Sequence, residues 1–187
     1  MSRHALVVGG TGMLRGLCLA LAERGHTVTV IARRHAPLAS LARAAASLPG
    51  RIAPAPADYT DDAALASAIR SATIARGQVS LAIAWVRSAA PGALPLIADL
   101  IARDRDPPRL FHICGSAVAD PSRTPDRGLA LLPGVRYRRV ILGFVVGPPG
   151  ARWLTDAEIC AGVVRAVDGD ASESVVGQVH PWWARPA

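Results

Sequence analysis

Lysine is absent from this sequence of 187 residues, in which all 21 basic side chains belong to arginine. Taken alone, the formal net charge of +7 at pH 7 would fit a nucleic-acid partner. The arginines are, however, spread singly or in pairs along the chain, and the aromatic residues on which bases stack make up only 4% of it. The sequence therefore predicts no nucleic-acid partner.

Cysteine is scarce, and long apolar runs are missing. Cys18, Cys114 and Cys160 lie far apart and lack CxxC spacing, which argues against a disulfide framework and against a zinc site. We expect three reduced, buried thiols and no metal. No apolar run approaches the ~18 residues of a membrane span, and the first four residues lead into a predicted strand without the regions of a secretory signal. We expect a cytoplasmic protein with no membrane partner.

Hydrophobic residues, at 51%, outweigh charged residues, at 19%, and this balance is typical of a chain that folds around a core. The length suits one domain of ordinary size. No internal repeat and no linker divides the sequence. We therefore expect residues 1–187 to form a single domain.

Predicted strands and helices alternate along most of the chain. Short apolar runs predict the strands, and amphipathic segments that end at glycine or proline predict the helices. The predicted strands are Ala5–Val8, Thr27–Ala32, Ile52–Ala57, Val79–Val86, Leu110–Cys114, Val135–Val146 and Ser174–Val179. The predicted helices are Met13–Arg24, Pro37–Leu48, Asp62–Arg76, Pro91–Arg103 and one that runs from the capping box at Thr155 to Val167. This order predicts an α/β fold with a doubly wound parallel sheet of six to seven strands and helices on both faces, the Rossmann fold.

The first predicted strand is followed at once by the turn Gly9-Gly10-Thr11-Gly12, which opens the first predicted helix. Glycine permits the backbone angles of such a turn and lets the main chain come close to a phosphate. The free amides and the dipole of the helix N-terminus attract the anion. We expect the cofactor phosphates at Gly9, Gly10, Thr11, Gly12, Met13 and Leu14. The alternative is a domain of this fold that binds no nucleotide.

The segment Val7–Leu14 resembles the start of the short-chain dehydrogenase/reductase superfamily, in particular its extended and atypical branches. The resemblance implies a nicotinamide nucleotide cofactor, hydride transfer to a small-molecule substrate, and assembly into a homodimer or homotetramer. The third glycine of the superfamily turn is replaced by Arg15, with Gly16 one residue later. That glycine normally allows the helix to pack closely on the strand. Either Arg15 binds a phosphate, or the helix lies slightly further from the sheet.

Two arginines follow the second predicted strand, where an acidic residue would bind the 2′-hydroxyl of NAD. Because paired guanidinium groups suit a 2′-phosphate, Arg33 and Arg34 favour NADP over NAD. The alternative is that both are solvated surface side chains. Asp58 resembles the superfamily aspartate that contacts adenine; its other candidate role is to cap the next helix, and the two roles are compatible. Tyr59 lies beside that adenine pocket or at the surface.

The carboxyl ends of the fourth and fifth strands are where this fold binds its ligands. We expect Ala84 and Trp85 to contact the cofactor there, and Arg87 and Ser116 follow the same strand ends. By resemblance, Ser116 polarises a substrate carbonyl. The usual partner, a tyrosine four residues before a lysine, cannot exist here because the chain has no lysine. We therefore place Ser116 and Arg87 as substrate contacts and consider Tyr137 as a proton donor.

Two functions fit these features. The first is an atypical NADP-dependent oxidoreductase that transfers hydride to a small organic substrate, with solvent able to supply the proton. The second is a non-catalytic NAD(P)-binding sensor or regulatory module, which the missing tyrosine–lysine pair favours. His112, inside an apolar strand, is expected to be a core histidine with its polar atoms satisfied. Trp182 and Trp183 cover the sheet edge, line a subunit interface or close over the substrate, and the sequence leaves these alternatives open.

Overall fold

A parallel sheet of seven strands forms the centre of the protein. The computed structural model describes residues 3–122, 132–148 and 150–186. Its strands are β1 (His4–Val8), β2 (Thr27–Ala32), β3 (Arg51–Pro56), β4 (Val79–Trp85), β5 (Arg109–Gly115), β6 (Arg136–Leu142), β7 (Phe144–Gly147), β8 (Gly150–Trp153) and β9 (Glu173–Val176). Its helices are α1 (Arg15–Glu23), α2 (His35–Ala44), α3 (Asp62–Arg76), α4 (Ala93–Ile101) and α5 (Asp156–Gly169). The sheet order β3-β2-β1-β4-β5-β6-β9 confirms the predicted doubly wound fold.

Helices cover both faces of the sheet. Because side chains alternate along a strand, Val7 of β1 points towards α1, α2 and α5, whereas Leu6 and Val8 point towards α3 and α4. Both faces of β1 are buried, which explains why its sequence is apolar without alternation. Within the described ranges, the structure contains no helix with the length and apolar character needed to cross a membrane.

Local capping interactions set the limits of two helices. α3 begins at the predicted residue because the Asp61 carboxylate accepts a hydrogen bond from the backbone N–H of Ala64, at 3.0 Å. The predicted capping box of α5 is confirmed, since Thr155 and Glu158 bond to each other's backbone N–H. Arg152 also holds Glu158, and these bonds lower the pKa of that carboxyl to about 2.

The predicted strand Val135–Val146 is wrong in its second half. β6 ends at Leu142, and after Gly143 the chain leaves the large sheet to form an antiparallel pair, β7 with β8. A Cβ at Gly143 would overlap the backbone of Gln178, whose carbonyl accepts the Phe144 N–H at 2.9 Å. The break therefore depends on a segment far along the chain, and no local pattern indicated it.

His4 forms a buried polar link between β1, β2 and the end of α3. Its Nδ1–H donates to the carbonyl of Gly77 at 2.7 Å, and its Nε2 accepts from the hydroxyl of Thr29 at 2.9 Å. The ring is fully buried, and this burial lowers its pKa below the ordinary value of 6.5. The folded protein therefore holds His4 in its neutral form.

We predict that the protein loses stability as the pH falls through about 6.5. The unfolded chain binds a proton at His4 in this range before the folded chain does, so the free energy of unfolding decreases as the pH falls. Urea unfolding between pH 8 and pH 5 measures this dependence. In His4→Leu we expect a loss of about 1–3 kcal/mol at pH 8, because Thr29 and Gly77 lose their partner, together with a flatter pH profile. An unchanged pH profile in this variant would contradict the assignment.

Candidate functional site

The backbone of the turn after β1 lies against the end of β4. Gly9 has a φ of +82°, a conformation that side chains with a Cβ rarely adopt, and its N–H donates to the carbonyl of Ile31 at 2.9 Å. A Cβ at Gly9 would lie only 3.1 Å from the carbonyl oxygen of Trp85. Glycine at this position therefore allows the turn and the end of β4 to lie in contact.

The next two glycines of the turn have different surroundings. A Cβ at Gly10 would lie 2.7 Å from Val30 and 2.8 Å from the Cys18 sulfur, so this position packs the turn on the core. A Cβ at Gly12 would have no heavy atom within 4 Å, and Gly12 is exposed. Gly12 thus leaves open space beside the turn, where a ligand can approach the backbone.

Close packing of α1 does not depend on a glycine at position 15. Gly16 lies against α5, where its Cβ would be 3.1 Å from the sulfur of Cys160. Gly10 provides the tight contact with the sheet. Arg15 is half-buried at the first position of α1, at the end of the helix that faces the turn.

Backbone amides at the start of α1 are available to an anion. Among the described residues, the N–H groups of Thr11, Gly12 and Met13 have no backbone carbonyl as acceptor. The N-cap residue Leu14 has no side chain that could accept a hydrogen bond, and the first turn of α1 contains no acidic residue. These donors, together with the helix dipole and the open space at Gly12, fit a phosphate group.

Two thiols help to shape this turn. The Cys160 thiol donates to the carbonyl of Met13 at 2.9 Å, and the Cys18 thiol donates to the carbonyl of Gly10 at 3.5 Å. Burial raises the pKa of Cys18 to about 12 and also raises that of Cys160, so both stay protonated at neutral pH. Cys18 and Cys114 are buried as predicted, whereas Cys160 is half-buried, and these three described cysteines form no disulfide. No cluster of metal-binding side chains occurs among the residues that the structure describes.

The two arginines after β2 are exposed. A terminal nitrogen of Arg33 lies 3.9 Å from the Asp58 carboxylate, and Arg34 is the N-cap residue of α2 without a capping bond from its side chain. Exposed pairs of this kind contribute little to stability, so the contact with Asp58 would hold Arg33 only weakly against a ligand.

Asp58 does not cap α3, so this alternative for its role is wrong. The N-cap residue is Asp61, and one Asp58 oxygen instead accepts bonds from the backbone N–H and the hydroxyl of Thr60, at 3.0 and 2.8 Å. These bonds, and the nearby Arg33, lower the pKa of Asp58. Tyr59 is half-buried and packs on the core between the sheet and α3 and α4.

A cavity of about 280 Å³ opens at the carboxyl ends of β4, β5 and β6. Ser116, the first residue after β5, is buried in its wall. Ala84 is buried inside β4, and Arg87 is exposed on the loop that follows this strand, outside the lining. The cavity is lined by Trp85, Gly115, Ser116, Ala117, Leu142, Gly143, Trp153, Leu154, Ile159 and Arg185.

The residues after β9 bring an arginine into this cavity. The Nε–H of Arg185 donates to the hydroxyl oxygen of Ser116 at 3.0 Å. The guanidinium carbon lies 4.8 Å from the ring centre of Trp153 and 5.4 Å from that of Trp182. Trp182 therefore lies beside Arg185, whereas Trp183 is 86% exposed. Sequence reasoning missed Arg185, because one arginine among 21 carries no local signal.

Tyr137 is not brought to the cavity. It lies near the start of β6. Its hydroxyl is 2.9 Å from Nδ1 of His112. His112 is half-buried, and Tyr137 is the polar partner that we expected it to have. Leu142, at the other end of β6, is the residue of this strand that lines the cavity. The two positions are about 16 Å apart along the strand, at ~3.3 Å per residue. The structure thus separates Tyr137 from Ser116.

Trp85 connects the turn with the cavity. Its carbonyl oxygen faces Gly9, and the residue also contributes to the cavity lining. The open amides at the start of α1 and the cavity beside Ser116 are therefore neighbouring parts of one edge of the sheet. This edge includes the β1–β4 boundary, where the strand order reverses and where ligands bind in open α/β sheets.

Comparison with known proteins gives matches by structure. No protein-family model matches the sequence, and no curated protein matches it. A short-chain dehydrogenase/reductase from Serratia marcescens matches with a TM-score of 0.71 and 18% identity, over 93% of this chain and 96% of that one. A 3-ketoacyl-ACP reductase from Sinorhizobium meliloti matches with a TM-score of 0.74 and 17% identity, over 92% and 96%.

A variant of the actinorhodin polyketide ketoreductase, solved with NADPH, is also similar. Its TM-score is 0.70 at 13% identity, and the match covers 94% of this chain and 96% of that one. These similarities agree with the resemblance of the segment Val7–Leu14 to the start of the short-chain dehydrogenase/reductases. The chain has the fold of the short-chain dehydrogenase/reductases.

Proposed function

We propose that this chain is an atypical NADP-dependent oxidoreductase that reduces a small organic carbonyl compound. The observation that supports the proposal is the contact between Gly9 and Trp85, because it brings the glycine turn and its open backbone amides next to a cavity that contains Ser116. The names of similar structures support a reductase: one is an NADH-dependent reductase in complex with NAD, and another is a ketoreductase with NADPH. The choice between the two nucleotides therefore rests on this chain's own residues.

The residues of the turn would hold the cofactor phosphates through the amides of Thr11, Gly12 and Met13. Arg33 and Arg34 would bind the 2′-phosphate of NADP by charge-assisted hydrogen bonds. Among the described residues, Asp58 is the only one whose carboxylate forms an ion pair with either arginine. The contact between Arg33 and Asp58, at 3.9 Å, is weak enough for a phosphate to replace. Asp58 and Tyr59, in the segment that follows β3, would lie beside the adenine.

In the cavity, Ser116 would orient the substrate. Because Arg185 donates to the Ser116 oxygen, the hydroxyl hydrogen can point towards a substrate carbonyl, and the neighbouring charge strengthens this donor. The bound reduced cofactor would supply a hydride to the carbonyl carbon. The carbonyl oxygen would then take the released electron pair and a proton from water, since Tyr137 lies far away and the chain has no lysine. Arg87, exposed beyond Trp85, would contact the outer part of the substrate.

A second candidate is a non-catalytic NAD(P)-binding sensor. The absence of lysine favours it, because no tyrosine–lysine pair can donate the proton. The two functions differ in turnover. A reductase consumes NADPH, followed by absorbance, with at least one member of a panel of small aldehydes, ketones and oxo acids. A sensor binds NADPH and consumes it with none of them.

We predict that Arg33→Ala/Arg34→Ala weakens NADPH binding by about 10- to 100-fold and leaves NADH binding within about twofold. The reason is that charge-assisted bonds contribute ~1.5–3 kcal/mol and only NADPH carries the 2′-phosphate. A titration that follows nicotinamide fluorescence measures both affinities. Arg70→Ala/Arg76→Ala, which removes the same charge from α3, is the matched control. Equal binding of NADPH by the wild type and the Arg33/Arg34 variant would refute the 2′-phosphate site.

We predict that alanine separates the roles of two glycines in the turn. Gly12→Ala should change the free energy of unfolding by less than about 0.5 kcal/mol, because the new Cβ has no heavy atom within 4 Å. The same variant should weaken NADPH binding at least tenfold, because the Cβ occupies the space through which a phosphate reaches the backbone. Gly10→Ala should destabilise the fold by about 1–3 kcal/mol through overpacking against Val30 and Cys18.

Urea unfolding and NADPH titration of the two variants test this separation. Full NADPH affinity in Gly12→Ala would exclude close approach of a phosphate to that backbone.

A further inference from the structure

Arg185 is an exposed residue, yet its side chain lines the cavity. It bonds to the Ser116 hydroxyl on one side and lies near the rings of Trp153 and Trp182. Two of these contacts, Ser116 and Trp153, come from segments far from Arg185 in the sequence, and together they direct the guanidinium group towards the cavity. The hydrogen bond to Ser116 uses one of its five N–H groups, which leaves the rest for a ligand.

Among the residues that the structure describes, no carboxylate forms an ion pair with Arg185. The arginine–carboxylate pairs of these residues include Arg24 with Asp168 and Arg152 with Glu158, but none involves Arg185. Among the described residues that line the cavity, none is an aspartate or a glutamate. The described lining thus carries one positive charge and no negative charge, and this is complementary to a single negative charge on a ligand.

The rest of the lining is mainly apolar. Leu142, Leu154 and Ile159 line the cavity together with Trp85 and Trp153. The volume, about 280 Å³, lies near the lower limit of ~300 Å³ for typical ligand pockets. A matching ligand is therefore small and combines an apolar body with one anionic group.

We propose that the substrate of this site is a small 2-oxo acid with an apolar side chain, whose carboxylate binds Arg185. Guanidinium and carboxylate groups form paired hydrogen bonds. Because Nε of Arg185 and the oxygen of Ser116 are 3.0 Å apart, a carbonyl oxygen next to the carboxylate can reach Ser116 at the same time. Turnover of this acid rests on the function proposed above, whereas its binding does not.

Calorimetric titration of the whole chain, without nucleotide, tests the proposal. The probes are 4-methyl-2-oxopentanoate, the ketone 4-methylpentan-2-one, which lacks the carboxylate, and 4-methylpentanoate, which lacks the oxo group. We expect the oxo acid to bind at least tenfold more tightly than the ketone and more tightly than the simple acid. Equal affinity for the oxo acid and the ketone would overturn the proposal.

Variants of Arg185 assign the effect to this residue. Arg185→Gln should remove the tenfold preference for the oxo acid over the ketone, and Arg185→Lys, which keeps the charge but not the planar fork, should keep part of it. Arg70→Gln, on the exposed face of α3, is the control for a general loss of charge. Circular dichroism confirms that each variant is folded. If Arg185→Gln keeps the preference, the carboxylate binds elsewhere and the proposal fails.

A parallel titration with NADPH separates this inference from the proposed function. If the oxo acid binds through Arg185 while NADPH does not bind, the acid site stands and the reductase fails. If NADPH binds and the oxo acid does not, the reductase stands and the acid site is refuted.

Discussion

The contact between the glycine turn and the neighbouring strand ends is the constraint on which the rest of the site depends. Gly9 brings the turn to the carbonyl of Trp85, and Gly10 packs it on Val30 and Cys18. A larger residue at either position would push the turn away from the end of β4. The start of α1 would then move with it, and its open amides would no longer adjoin the cavity beside Ser116. Two sterically required glycines thus bring the open backbone amides of the turn next to a mainly apolar pocket.

Local signals explain what the sequence predicted correctly. β2 and α3 have the predicted bounds, because apolar β-branched runs and end signals such as Gly77 act within a few residues. The capping box at Thr155 is equally local. The error after Leu142 has the opposite origin. The apolar residues 144–146 continue the pattern of β6 and so predicted one long strand, but the chain turns aside at Gly143 to pair with the backbone of Gln178. Contacts between distant segments are not encoded in a short stretch of sequence.

The same distinction applies to the candidate site. The turn and Ser116 were predicted because each follows a predicted strand, and parallel strands bring their carboxyl ends to one edge. Tyr137 was considered for its chemistry, but the β5–β6 register pairs it with Leu110, towards the opposite edge of the sheet. Arg185 lies 69 residues from Ser116 in sequence, and only the path of the chain after β9 reveals their contact. Burial, register and chain path, rather than residue type, decide which side chains meet.

The most direct test of this account is to follow the backbone amides of the ¹⁵N-labelled protein by NMR during a titration with NADPH. If the turn and the cavity form one dinucleotide site, the amide signals of Thr11, Gly12 and Met13 shift together with those of Ser116 and Ala117. The fragment 2′-phospho-ADP-ribose, which has no nicotinamide, should then shift the first group and leave the second nearly unchanged. If saturating NADPH leaves the amides of the turn unmoved, the turn does not bind the cofactor phosphates and the account is wrong.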